Sequence, residues 1–582
     1  MALNSYLYLY KIYNKNVKKV VLINLKLHII IILYIRNIMN DRERYGKNMY
    51  KRVFVNQCGY LPQMDKKVTF CSDSDVSFSV LKSDGTSVFR GKATARIDNP
   101  SAKEINYIGD FSQVKESGKY YILAEGLGES DTFEISDTIY DDVFQKSMKF
   151  FYLQRCGQDI PKEAAGEYAH CACHTGLATV YGTSVKKEVS GGWHDAGDYG
   201  RYVGPGAMAV AQLLLAYENN NKLGMKYSNE YGKENSSQMP DYLAEVKYEL
   251  DWMLKMQNED GMLYHKATCR NFCGFIMPEN EKEELVLSPV STTATGDFAA
   301  VTAMAVRFYE KYDKSYAKTL ENASKKAYNA LKNIELPGGF KNPKDIVTGE
   351  YGDECDEDER YWAAAELYKA FGDKEYREDF EKMARQKIYH GYGWVNMGSY
   401  GNIAYLTTSY DTSDSIKDTI KKSMIELADA KLAIVNSDGY GTALAASEYT
   451  WGSNLDTANN GLHLYDAYKL TGNTEYLIAA QAQIHYLLGR NPMGICYLTG
   501  CGTDSIKHPH HRPSGFLGKA MPGMLSGGPC DWLADEVTKQ IFTKDTAPAK
   551  SLADMTGSYS TNEVTIYWNS AFVQLLAYIL AE

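Results

Sequence analysis

The sequence predicts a mainly α-helical protein with a small all-β unit on its N-terminal side, and three observations carry that prediction. Between Arg52 and about Ser136, short runs such as VFVNQCGYLP, KKVTFCS, VSFSVLKSDG and GKYYILAEG are separated by Gly, Asp and Ser turn signals, the spacing of a small β-sandwich. After Tyr140 the apolar residues recur with helical periodicity, in PGAMAVAQLLLAYENN, DYLAEVKYELDWMLKMQ, GDFAAVTAMAVRFYEKY, ERYWAAAELYKAFG, TEYLIAAQAQIHYLLGR and EVTIYWNSAFVQLLAYIL. With weaker segments these make about a dozen helices, the number an (α/α)6 barrel requires; periodicity alone leaves other all-α arrangements open. The joining loops are long and Gly-rich, Pro492 to Gly528 above all, and long structured loops in a compact domain are usually functional.

Taken in order, residues 1–49 read as a non-native or disordered extension, since Met39 and Met49 stand just before the first domain. The apolar run Ile29 to Leu33 is bracketed by Lys26, His28 and Arg36, has no small-residue cleavage site after it and is too short to span a bilayer. The rival reading is an uncleaved membrane anchor. Residues 50–137 are the expected sandwich and residues 138–582 the helical domain. Within the latter, Glu218 to Gln238 is rich in Asn, Lys and Ser and reads as an exposed loop between helices. No repeat of fixed period is present, which excludes a solenoid of recognisable units.

The bulk numbers agree with a folded protein in water. At 582 residues the chain exceeds one ordinary domain, and 44% hydrophobic with 23% charged residues is close to the globular average. A net charge of −10 without a clustered Lys/Arg stripe excludes the electrostatic footprint of a nucleic-acid partner. The 46 tyrosines suit sugar surfaces, offering a flat apolar face and a hydroxyl, although packing accounts for most. The eleven cysteines are odd in number and scattered, unlike a secreted disulfide framework. They point to the cytoplasm; secretion or anchoring through the N-terminal run is the alternative.

Three segments carry candidate chemistry. In GGWHDAGDYGRYV, Asp195 and Asp198 stand three apart in a Gly-rich stretch before a helix, where both could address one water; the bland alternative is a helix cap and a turn aspartate. In SYSTNEVTIYWNSAF, Glu563 opens an apolar helix beside Tyr559, Tyr567 and Trp568. Partial desolvation there would keep it protonated, as a general acid needs, whereas the bland reading is an acid favoured by the helix dipole. In IKHPHHRPSG, His510, His511 and Arg512 offer donors to sugar hydroxyls, and the cluster of histidines also invites a metal reading. Glycosidic hydrolysis with inversion needs one neutral and one ionised carboxyl group, about 6.5 to 9.5 Å apart.

In this order and spacing the three segments resemble glycoside hydrolase family 9, the inverting cellulases with an (α/α)6 barrel. The resemblance extends over SPVSTTATGDFAA, YWAAAELYKAFGD, WGSN, YLLGRNPMG and SGGP, and the opening VFVNQCGYLP is similar to the immunoglobulin-like module that precedes many members. It implies Asp198 as general base, Asp195 as the carboxylate that orients the water, and Glu563 as general acid. His510 and Arg512 match the family's substrate-binding loop, Asp554 and Tyr559 the acidic and aromatic positions before the acid, and Trp451 a sugar platform. Cys496, Asp504 and Leu552 depart from the pattern beside the cleft, which puts subsite preference in question.

Cys156, Cys173, His174 and His194 supply a four-donor Cys/His set that zinc favours in a closed structural site. The resemblance points to zinc at the corresponding positions; His170 or Cys171 could replace one ligand. In TGEYGDECDEDER, the residues Thr348, Asp353, Asp356, Asp358 and Glu359 offer hard oxygen ligands for calcium, and the resemblance implies calcium in this loop; a solvated acidic loop is the commoner meaning of such a run. The function expected is inverting hydrolysis of β-1,4-glucosidic bonds in a β-glucan or cello-oligosaccharide by an endoglucanase or cellodextrinase. Exo action as a β-glucosidase, cellobiohydrolase or glucosaminidase is the second reading. A non-catalytic carbohydrate-binding protein is the third, and it predicts loss of Asp198 or Glu563, both of which are present. No dockerin-like segment is seen and no membrane partner is expected.

Overall fold

Alternation of apolar and polar residues builds the N-terminal unit from nine strands: β1 Val53–Phe54, β2 Lys67–Cys71, β3 Val76–Lys82, β4 Ser87–Ala93, β5 Arg96–Asn99, β6 Glu104–Asp110, β7 Gly118–Ala124, β8 Gly128–Glu129 and β9 Phe133–Ile135. They form two antiparallel sheets, ordered β1-β2-β6-β5 and β4-β3-β7-β8, with β9 also pairing β7. Val76, Phe78 and Val80 on β3 and Tyr120, Ile122 and Ala124 on β7 point inward at every second position. They meet Val68, Phe70, Phe111 and Phe133 in one apolar core. This computed structural model describes residues 51–231, 238–335 and 338–582; the expected extension 1–49 with its apolar run lies outside the described residues.

Twelve helices of ten or more residues follow among the described residues. They are α1 Asp141–Leu153, α2 Val203–Asn219, α3 Asp241–Lys255, α4 Thr292–Tyr309, α5 Lys314–Lys332, α6 Glu357–Phe371, α7 Lys374–Ala384, α8 Gly398–Thr407, α9 Asp414–Ser437, α10 Ser453–Thr471, α11 Thr474–Leu487 and α12 Ile566–Ile579. Even-numbered α2, α4 and α12 are buried on nearly every face, whereas α5 buries only the stripe Ala317, Leu320, Ala323, Ser324, Ala327, Tyr328 and Leu331. Inner and outer helices therefore alternate along the chain, and α12 packs against α2 to bring the last inner helix back to the first. Local chemistry sets the ends. Ser291 and Thr565 cap α4 and α12 by accepting from Ala294 N and Trp568 N, each at 3.1 Å, and Gly372 ends α6 at φ 74°.

Backbone and side-chain bonds fasten the sandwich to the helical domain. Gln57 N donates to Leu488 O at 2.9 Å, Gln57 Nε2 to Gly494 O at 2.7 Å, and Thr69 Oγ1 to Gly439 O at 2.7 Å. The segment expected to be an exposed loop between helices contains a further helix, Asn221–Lys226, capped by Asn220 and anchored by buried Leu223. Its polar composition hid a single buried leucine. No helix among the described residues is long and apolar enough to cross a membrane.

Candidate active site

Segments that run into the N-terminal ends of inner helices converge on one pocket of about 390 Å³. Asp195, Asp198 and Tyr202 precede α2, Tyr351 precedes α6, Trp394 precedes α8, Trp451 precedes α10, and Glu563 and Thr565 precede α12. Phe272, Trp532 and Trp568 complete the walls. Helix N-termini present partial positive charge, so the fold directs favourable potential toward the carboxylates it gathers there.

Asp195 and Asp198 sit in a tight turn closed by Asp195 N to Gly200 O at 2.9 Å. Neither caps α2, whose N-cap is Tyr202 without a side-chain bond. Asp198 Oδ2 accepts from Gly200 N and from the Tyr202 hydroxyl, both at 3.1 Å. Asp195 is buried; its Oδ2 accepts from the Tyr351 hydroxyl at 2.5 Å, and its Oδ1 has no hydrogen-bond partner. Tyr351 itself holds φ 44°, a left-handed conformation that a bulky residue adopts at a cost, about 1 to 3 kcal/mol. That strain is retained where it aims a hydroxyl at Asp195.

Glu563 does not open α12, as its sequence context suggests. Thr565 takes the cap, and Glu563 occupies an extended link between Tyr559–Asn562 and α12, bridged to His510 on one side. Gly527 N donates to Glu563 O at 2.8 Å on the other. Asp535 Oδ2 fixes the preceding segment through Ser558 Oγ at 2.9 Å, Ser560 N at 3.0 Å and Ser560 Oγ at 2.6 Å. The two carboxylate segments touch: Ile566 N donates to Asp195 O at 2.7 Å, and Arg512 N to Gly197 O at 3.0 Å. A Cβ at residue 197 would stand 2.1 Å from His510 O, so only glycine permits this approach.

Electrostatics favour the protonated form of two of the acids. Burial, then the charges of Asp198 and Asp195, push Glu563 well above the ordinary carboxylate range, with the Arg512 guanidinium opposing. Burial also raises Asp195 strongly, opposed by the Tyr351 hydroxyl and reinforced by Asp198 and Glu249. Burial thus favours the protonated form of Glu563.

The histidine loop lies beside this pocket, bridged to Glu563 through His510, but His510, Arg512 and Tyr559 do not line it. Asp554 accepts from Lys507 N and His508 N and holds the loop's start. His510 Nδ1 lies 2.7 Å from Thr556 O, and its ring meets Phe275 and Tyr559 edge-on. Tyr559 donates to Ala534 O at 3.0 Å and its ring lies 5.2 Å from Trp451, which is 40% exposed in the pocket wall. His511 is buried between Ser514 and Gln154, and the metal-donor clusters among the described residues include none of His508, His510 and His511. Cys496 and Asp504 do not flank the pocket. They face the sandwich, where Asp504 N donates to Gln57 Oε1 at 2.8 Å and Cys496 contacts Cys58. Their departure from the family pattern therefore bears on the domain junction. Leu552 is fully buried.

A closed four-donor set stands directly behind the Asp195 turn. Cys156, Cys173, His174 and His194 each offer one atom, all within 4.8 Å of one another. Cys173 Sγ is 3.9 Å from Cys156 Sγ and 3.6 Å from His194 Nε2, and Cys156 Sγ is 3.7 Å from His174 Nδ1. Tetrahedral zinc bonds imply edges of about 3.8 Å between sulfurs and about 3.6 Å between sulfur and nitrogen, so the set fits that ion. Neither alternative donor takes part, since His170 Nδ1 is turned to Cys171 O and Cys171 is exposed. Gln154 ties the cluster to the turn, donating to His194 O and Ala196 O at 3.1 and 3.2 Å.

The five expected calcium ligands are not one set. Thr348 bonds Lys266 Nζ at 3.2 Å, and Asp356 pairs with Arg360 at 3.0 Å, so a protein cation already occupies each. Asp353, Asp358 and Glu359 instead interact with Asp297, a residue sequence reasoning missed. Asp297 Oδ1, Asp353 Oδ2 and both Glu359 oxygens are buried without a hydrogen-bond partner, the condition a bound cation relieves.

Fold and pocket thus define a helical-barrel enzyme with a carboxylate centre, and comparison with known proteins identifies the family. Residues 140–576 match the model of glycosyl hydrolase family 9, and residues 48–129 match that of the cellulase N-terminal ig-like domain. The chain is 38% identical over 549 residues to a cellodextrinase of Butyrivibrio fibrisolvens, covering 91% of this chain and 100% of the relative. It is 38% identical over 542 residues to endoglucanase D of Acetivibrio thermocellus, covering 90% and 83%. A solved structure of AaCel9A in complex with cellobiose-like isofagomine superposes with a TM-score of 0.87 at 34% identity, over 91% of this chain and 100% of that one. This chain is a glycoside hydrolase and belongs to family 9, with the (α/α)6 barrel and immunoglobulin-like sandwich of that class.

Proposed function

We propose that the chain hydrolyses β-1,4-glucosidic bonds of cellulose-type glucans or cello-oligosaccharides with inversion, as an endoglucanase or cellodextrinase. The observation that carries this reading is the convergence of Asp195, Asp198 and Glu563 on one pocket walled by Phe272, Trp394, Trp451, Trp532 and Trp568. Aromatic faces stack on pyranose rings, and in this reading the glycosidic oxygen sits beside Glu563, whose burial favours the protonated form. Glu563 protonates the leaving oxygen. Asp198 removes a proton from the attacking water, and Asp195, oriented by Tyr351, positions that water. His510, Arg512 and Tyr559 support the sugar from the rim. Residues 50–137 brace the barrel and residues 138–582 carry the chemistry; the scattered, odd set of cysteines favours work on imported oligosaccharides in the cytoplasm. Incubation of the purified chain with cellohexaose is expected to yield shorter cello-oligosaccharides, and an unchanged hexasaccharide would exclude the assignment.

The metals in this reading are structural. Cys156, Cys173, His174 and His194 hold zinc, which would brace the turn carrying Asp195, and calcium is assigned to Asp353, Asp358 and Glu359 with Asp297 on the buried, unpartnered oxygens of Asp297, Asp353 and Glu359 and their mutual repulsion with Asp358. A metal bound only by the folded state raises stability. Cys173→Ser is expected to lower both zinc content and melting temperature. Elemental analysis and thermal unfolding of the two proteins check this, and a variant equal to the parent in both would contradict it.

A further inference from the structure

His174 presents a nitrogen to each of two donor sets. Nδ1 lies 3.7 Å from Cys156 Sγ in the set already described, and Nε2 lies 2.8 Å from Glu281 Oε2 on the opposite side. Cys269 joins that second side: its sulfur, a Glu281 oxygen and a His174 nitrogen lie within 4.8 Å of one another. Cys273 faces the same carboxylate, its thiol hydrogen-bonded to Glu281. The local chain explains the gathering. The strand Lys266–Thr268 delivers Cys269, a short loop returns Cys273, and the turn Pro278–Asn280 places Glu281.

A carboxylate that served only to orient His174 would need neither thiol. His174, Cys269 and Glu281 are already clustered, and Cys273, whose sulfur lies outside that cluster but meets Glu281, supplies the fourth donor of a four-coordinate set for a borderline-soft divalent ion. We propose that Cys269, Cys273, Glu281 and Nε2 of His174 form a second zinc site, with the His174 ring bridging the two ions. The proposal goes beyond the single structural zinc and rests on that reading only through His174. Loading involves no electron transfer. The two thiols and the His174 ring N–H each release one proton to solvent as the metal–sulfur and metal–nitrogen bonds form, and Glu281 binds as the carboxylate. The excess negative charge of thiolates, carboxylate and imidazolate is offset by Arg512, which faces Cys273, and by Arg201 near His174.

The site has a route to the sugar pocket. Phe272, between the two cysteines, lines the pocket wall, and the Arg512 guanidinium lies 5.5 Å over its ring while donating Nε to Cys273 O at 3.1 Å. An ion at this position would fix that wall.

The test loads the reduced full chain with zinc sulfate, removes free ion by desalting and counts metal by elemental analysis and native mass spectrometry. The parent is expected to hold about two zinc ions per chain, and Cys269→Ser/Cys273→Ser about one. Glu281→Gln should weaken retention of the second ion while leaving the first. With cobalt in place of zinc, the thiolate-to-metal charge-transfer band should fall by about half in the double variant, because two of four sulfur ligands are gone. Retention of the first ion shows that the variants are folded. One ion in both parent and double variant would overturn the second site while leaving the first intact. No ion in the parent would overturn both readings.

Discussion

Glu563→Gln is expected to fold as the parent does and to lose about 10²- to 10⁴-fold of kcat on cello-oligosaccharides, the usual contribution of a positioned general acid. The amide preserves shape and the contacts of the link before α12, where the Gly527 bond goes to the backbone of residue 563. It removes the proton that burial favours on this carboxyl group. Burial and the neighbouring Asp198 and Asp195 raise the Glu563 pKa, so the protonated form persists as pH rises past the ordinary carboxylate range. Activity then falls as pH rises through the raised value, and the variant should lack that alkaline limb. An aryl cellobioside with a good leaving group needs less protonation and should lose much less. Near-parental turnover of cellopentaose by the variant would remove Glu563 from the acid role.

The second large effect is expected from Asp198→Ala, with a loss of about the same 10²- to 10⁴-fold. Its Oδ2 is held by Gly200 N and the Tyr202 hydroxyl in a turn that does not depend on the carboxylate for helix capping. The chain should therefore fold without it. Added azide replaces the activated water as nucleophile and should restore part of the turnover in this variant but not in Glu563→Gln. Equal response of the two variants to azide would dissolve the division of roles. Thermal unfolding of each variant separates loss of chemistry from loss of fold.

Much of this organisation was legible in the residues. Period-two runs became the strands whose Val76, Phe78 and Val80 enter the sandwich core, and helical periodicity became α2, α3, α4, α6, α11 and α12. The Asp195 turn and the four zinc-type donors also stand together as their composition suggested. The failures have physical causes. Sequence spacing cannot show that Thr565, rather than Glu563, satisfies the first amides of α12, because both residue types favour helix starts. Acidic density in the segment 348–360 concealed two different fates: Thr348 and Asp356 are taken by Lys266 and Arg360, while Glu359 turns inward to Asp297 from another helix. Tyr351 lay in that same run and was overlooked as one tyrosine among 46. Its signal was a bulky residue between Gly349 and Gly352, a context that tolerates an unusual backbone. Cys496 and Asp504 were expected near the cleft because chain proximity to the histidine loop says nothing about which side of the loop faces the sandwich.

The central claim is that one water, activated at Asp198, attacks once from the face opposite the bond that Glu563 protonates. Two carboxyl groups can also act through a covalent glycosyl-enzyme, and that path restores the original configuration. Proton NMR of a fresh cellotetraose digest, recorded before mutarotation mixes the anomers, distinguishes the two. The account predicts the α-anomer as the first product. First accumulation of the β-anomer would contradict it.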